Sequence, residues 1–128
     1  MTKDIFTGKI CPYCLKGTEF VESSIIYGKN YGMIYLCKSC DAYVGVHKGT
    51  NKSLGRLANA ELRKWKILAH KYFDKLYKSS NRFNSRKEAY QWLSKIMQVD
   101  KEYAHIAMFD VKQCKKLISL CEKLTSSF

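Results

Sequence analysis

No stretch of this chain is apolar for more than a few residues, far short of the ~20 that a membrane-spanning helix requires, so no membrane segment is expected. Residues 1–9 are short and polar, which gives no secretory signal and predicts a cytoplasmic location without structural disulfides. Proline occurs once, at Pro12, and neither an internal repeat nor a long linker divides the sequence. Acidic residues are scarce: 11 Asp and Glu stand against 23 Lys and Arg, a formal charge of +12. Such an excess on 128 residues concentrates polyanions around the protein and favours nucleic acid, an acidic protein or an anionic membrane surface as partner. The basic charge is uneven, with twelve Lys or Arg against four acids in residues 51–100 and six against four in residues 1–50. With 46% hydrophobic residues the chain can build an ordinary interior as one compact unit.

What is present is cysteine in a metal-binding rhythm. CPYC supplies Cys11 and Cys14, CKSC supplies Cys37 and Cys40, and 22 residues separate the pairs. A tetrahedral Zn²⁺ takes four thiolates at ~2.3 Å, and each CxxC turn presents two of them from one tight knuckle. Pro12 stiffens the first knuckle, Gly17 is placed to take the positive φ that turns the chain away, and Asp41 is placed to orient the second. A thioredoxin-like redox pair would need a CxxC opening the helix of a βαβ unit, which this pattern lacks. Four thiolates close the coordination sphere, so the expected single Zn²⁺ folds the chain and activates no water. With the thiolates and the dication counted, the net charge falls to about +10.

Around the knuckles, β-propensity marks strands at 19–26, 33–37 and 42–46, the first two joined by a glycine-bearing turn at 27–32. This predicts an α+β chain: an N-terminal four-cysteine zinc ribbon of three short antiparallel strands (1–50), packed on a C-terminal small helical bundle (51–128). A treble clef fits less well, because AYVGV and not a helix follows the second CxxC. A glycine-rich loop at 49–55 precedes a long helix at 57–78, with Ala58, Leu62, Trp65, Ala69, Tyr72, Phe73 and Leu76 on its core stripe. A polar loop at 79–84 follows. Ser85 with Glu88 opens a second helix whose apolar face is Ala89, Trp92, Leu93, Ile96 and Met97. A short helical turn is expected at 101–105. Asp110 with Gln113 caps a last helix, which turns Val111, Cys114, Leu117, Ile118, Cys121 and Leu124 inward. Cys114 and Cys121 lie ~10 Å apart along that helix, too far for a mutual disulfide.

Three groups outside the cysteines carry functional expectations. On the long helix Lys64, Lys71, Lys75 and Lys78 fall within a narrow arc opposite the apolar stripe, and Arg82 and Arg86 extend it. A row of this kind tracks a phosphate backbone but reads no bases. Tyr27, Tyr31, Tyr35 and Tyr43 lie on or beside the ribbon strands. They serve either as stacking platforms for single-stranded bases or as covers for the zinc site and ribbon core. His70 and Asp74, spaced i and i+4, form with His47 and His105 a polar set that suits either acid/base or metal work or the fastening of the helix to a neighbouring loop.

The runs CPYC, YLCKSCDAYVGVHKGT, LGRLANAELR, AHKYFD, SRKEAYQWL and HIAMFDVKQC resemble a family of small zinc-finger-containing proteins of unknown function found in phages and prophages. The resemblance implies that Cys11, Cys14, Cys37 and Cys40 are the zinc ligands and that His47, His70, Asp74, His105 and Asp110 occupy signature positions. Ala104 and Ala107 stand where the family pattern often has Cys and Gly, which weakens a second metal site at His105. The leading expectation is therefore a zinc-ribbon nucleic-acid-binding protein of phage type, in the cytoplasm of a bacterial host. The alternative is a phage interaction protein that inhibits or redirects a host enzyme or defence complex. A weaker one is a metal-dependent nuclease using His70, Asp74 and His105. An enzyme is the less favoured class.

Overall fold

The computed structural model describes residues 2–79 and 83–126, with side chains over 4–78 and 83–124. Two compact units appear, Met1–Ala60 and Glu61–Phe128.

The first unit begins with a short helix, α1 (Thr2–Phe6), which the polar leading residues did not announce. It is closed at Gly8, whose φ of 81° is left-handed and whose missing Cβ would lie 2.8 Å from the Tyr35 ring. Only glycine satisfies both conditions. Strands β1 (Glu19–Glu22), β2 (Met33–Cys37) and β3 (Ala42–Gly45) then form an antiparallel sheet in that order, as the β-propensity predicts. Phe20 stands opposite Tyr35, and Tyr35 opposite Val44.

The first strand is shorter than expected. At Ser23 the chain turns: its N–H donates to Gly32 O at 2.8 Å, and its Oγ accepts from Tyr31 N–H at 2.7 Å. Residues Ser24–Tyr27 instead form one helical turn, α2, ended by Gly28 at φ 71°. Local side-chain capping has taken the backbone away from the ladder. The segment that follows β3 returns to the sheet through bridges between Val46 and Ser53 and between Tyr43 and Ala58.

The second unit contains α3 (Ala60–Ser79), α4 (Arg86–Met97) and α5 (Val111–Ser126). Single 3₁₀ turns at Lys101–Tyr103 and Ile106–Met108 precede α5. Leu62, Ala69, Phe73 and Leu76 of the expected α3 stripe are buried, while Trp65 and Tyr72 are half-buried. Ser85 caps α4 by accepting from Glu88 N–H at 3.2 Å. The α5 cap is reciprocal: Asp110 Oδ1 accepts from Gln113 N–H at 2.8 Å, and Gln113 Oε1 accepts from Asp110 N–H at 2.9 Å. Cys114, Leu117, Ile118 and Cys121 turn inward as the periodicity requires. Ile96 departs from it and is exposed, because Ala89, Leu93 and Met97 occupy the buried line of α4.

Candidate functional site

The two knuckles close through different hydrogen bonds but reverse at the same place. Cys11 O accepts from Leu15 N–H at 2.8 Å and Cys11 N–H donates to Lys16 O at 2.9 Å; in the second, Asp41 N–H donates to Lys38 O at 3.2 Å. In each, the residue after the second cysteine is left-handed, Leu15 at φ 63° and Asp41 at φ 50°. Composition points to Gly17 for the positive φ, but Gly17 pairs with Ile10 as an antiparallel bridge instead. The turn must reverse immediately after the second thiol to let the chain leave, so Leu15 carries it at a cost of roughly 1–2 kcal/mol.

The four sulfurs of Cys11, Cys14, Cys37 and Cys40 lie within 4.8 Å of one another, and Cys14 Sγ is 3.8 Å from Cys37 Sγ. Ligands ~2.3 Å from a tetrahedral zinc are about 3.8 Å apart, whereas a disulfide would bring two sulfurs to ~2.04 Å. Cys11 and Cys37 are buried against Ala42, Val44 and Leu57, with Cys14, Cys40 and Tyr35 packed on that cluster. The metal-free thiols differ. Cys37 is drawn down to about 6, first by its contact with the Ser39 hydroxyl 3.4 Å away. Burial pushes Cys40 up to about 12 and also raises Cys11. One thiolate forms easily and the next is opposed, and a dication at the centre removes that opposition. The role of Ser39 was missed from sequence, although the CKSC spacing places its hydroxyl beside Cys37.

Residues 7–124 match the family model of a zinc-finger-containing domain. The chain belongs to that family. No curated protein and no solved structure matches it. In this zinc-finger-containing domain the donor set fits one structural zinc, which Cys11, Cys14, Cys37 and Cys40 would hold. Four thiolates leave the metal no open position for substrate.

Elsewhere in the zinc-finger-containing domain, Lys64, Lys71, Lys75 and Lys78 are exposed along α3, and Arg86 is exposed at the start of α4. Arg82 lies outside the described residues. Lys78 and Arg86 come together in a pocket of about 230 Å³ with Phe73, Asp74, Tyr77 and Tyr90. Arg86 lies over the Tyr90 ring at 5.6 Å, and its pKa is raised, first through a hydrogen bond with Tyr90.

His70 and Asp74 are both exposed. Partial burial lowers the His70 pKa; the Asp74 carboxylate opposes that shift and Lys66 adds to it. Desolvation outweighs the i, i+4 pairing. His105 packs its ring 5.3 Å from Tyr90, and His47 is exposed on the loop after β3. Among the described residues the four cysteines are the only group of three or more His, Cys, Asp or Glu close enough to share a metal. His70, Asp74 and His105 are not gathered around one metal-sized point. No helix among the described residues is long and apolar enough to cross a membrane.

Proposed function

We propose that this protein is a zinc-folded nucleic-acid-binding protein, with the zinc stabilising the sheet unit and the basic face of α3 contacting phosphates. The observation that carries the reading is the row Lys64, Lys71, Lys75 and Lys78: all four are exposed, and none has an ion-pair partner among the described residues. An unneutralised row on a helix back suits a polyanion. Lys78 and Arg86, sharing a pocket with two tyrosines, add donors for a phosphate oxygen, which Arg binds through its planar fork.

Phosphate contacts make affinity depend on salt. If the four lysines each neutralise one phosphate of a duplex, log K falls with log salt at a slope of about −3.6, or roughly 150-fold between 50 and 200 mM. Fluorescence anisotropy with a labelled duplex across that range measures it. A salt-independent affinity, or no binding at low salt, overturns the reading. The rival is docking of the same face on an acidic host protein, and a stoichiometric protein partner retained after nuclease treatment of a lysate would favour it.

A further inference from the structure

The two faces of the ribbon sheet differ. Side chains alternate along a strand, so Tyr35, Cys37 and Val44 share the face of the cysteine cluster, while Ile34, Tyr43 and Gly45 belong to the other. On that other side lies a cleft of about 700 Å³ whose walls include Tyr27, Tyr31, Tyr43, Lys48 and Leu54. Its size is typical of small-molecule sites, ~300–1,000 Å³. Tyr27 stands nearly perpendicular to both other rings, at 83° to Tyr31 with centroids 5.8 Å apart and at 89° to Tyr43 with centroids 6.0 Å apart. Tyr31 is 71% exposed, so the ring is held in place while much of its surface stays open.

The polar groups of the cleft narrow the occupant. Lys48 lines it, Lys29 sits 5.8 Å from the Tyr31 centroid, and no Asp or Glu contributes to its walls. A quaternary or methylated ammonium suits an aromatic corner but not one flanked by two lysines and no carboxylate. Ser23 is 2% exposed and also lines the cleft. Its Oγ accepts from Tyr31 N–H, and its own hydroxyl proton has no acceptor among the described residues, which leaves one buried donor. An aromatic face, a hydroxyl donor and flanking cations together match a flat heteroaromatic ring that carries a phosphate.

We infer that the Tyr27–Tyr31–Tyr43 cleft binds an unstacked nucleobase of a single strand, with Tyr31 as the stacking surface and Lys29 and Lys48 beside the phosphates. The inference deepens the nucleic-acid reading, and it rests on that reading for its biological ligand. It gives the sheet unit a role that duplex binding by α3 does not need, because bases inside a duplex are already stacked.

The test uses the zinc-loaded full chain, ¹⁵N-labelled and titrated with adenosine monophosphate or, as the base-free control, ribose 5-phosphate. Amide shifts at Tyr31, Gly32, Tyr43, Gly45 and Lys48 are expected with the nucleotide and not with the sugar phosphate. Tyr31→Ala, at an exposed ring, weakens binding of a single-stranded 12-mer at least about fivefold, the lower end of one stacked base, while Tyr31→Trp retains it. Duplex affinity stays within twofold in both variants. Equal shifts with ribose 5-phosphate, shifts confined to α3, or an unchanged single-strand affinity in Tyr31→Ala would overturn the inference. Lys71→Glu/Lys75→Glu reports separately on the α3 face: loss of duplex binding there with intact nucleotide shifts in the cleft distinguishes the two sites.

Discussion

Replacing Cys11 by serine tests how far the metal, and not apolar packing, stabilises the sheet unit. Cys11 is fully buried in a cluster whose largest aliphatic members are Val44 and Leu57. At ~1.5–3 kcal/mol each, burial of those two contributes about 3–6 kcal/mol. A structural four-ligand zinc contributes apparent values of ~10–16 kcal/mol in small folding units, so the metal contributes more. Serine keeps the size but gives a poor ligand, and the three remaining thiols no longer supply the closed four-thiolate set. Cys11→Ser is therefore expected to lose its bound zinc and the dispersed amide signals of Ala42, Val44 and Leu57. Helical signals from α5, in a unit with its own buried Leu93, Phe109 and Leu117, persist. Zinc content by atomic emission and a ¹⁵N–¹H spectrum supply the readouts. Cys114→Ala serves as control, because that buried thiol is not one of the four gathered cysteines and its variant should retain one zinc per chain. A Cys11→Ser protein that keeps one zinc and a dispersed sheet would refute the reasoning.

Leu15→Gly relieves a left-handed leucine at the cost of a more flexible unfolded chain, so stability of the zinc form is expected to stay level or rise by up to about 1 kcal/mol. Leu15→Val, which is β-branched, should lower it, and thermal melting compares the two. Asp110→Ala removes the 2.8 Å cap on Gln113 N–H and should cost about 1 kcal/mol in denaturant unfolding. Burial lowers the His70 pKa in the folded state below its ordinary value of 6.5. Between those two pKa values the unfolded state binds more protons, so this contribution to stability is present above the unfolded pKa and is lost as pH falls. An NMR titration of His70 should show the lowered midpoint, and Asp74→Asn should lower it further because the carboxylate opposes the shift.

The ribbon and its metal were legible in sequence because zinc chemistry is local: four thiolates at fixed spacing and strands of high β-propensity carry most of the information. Helix caps were equally legible at Ser85 and Asp110, where one side chain and one residue three positions on decide the outcome. What escaped depended on contacts made at a distance. Gly8 is required by the Tyr35 ring, and β1 stops at Ser23 because the Tyr31 amide reaches its hydroxyl. Leu15 is left-handed although a glycine stands two residues on, because hydrogen bonding to Cys11 decides the position and not propensity. The tyrosine pattern was visible, but sequence could not separate ring from ring. Phe20 and Tyr35 pair at 4.9 Å on the cysteine side of the sheet, whereas Tyr27, Tyr31 and Tyr43 gather in the cleft. For His70 the i, i+4 spacing places the Asp74 carboxylate where it acts on the imidazole, but the net pKa shift is downward because desolvation is its largest cause.

The most direct test of the α3 face as the phosphate-contacting surface is the change in salt slope when two of its lysines are neutralised. Lys71 and Lys75 are exposed, so Lys71→Gln/Lys75→Gln should fold normally. The expected slope of log K against log salt is shallower by about 2, close to one unit for each phosphate that no longer meets a lysine. An unchanged slope in a folded, zinc-loaded double variant would contradict a phosphate-binding role for α3.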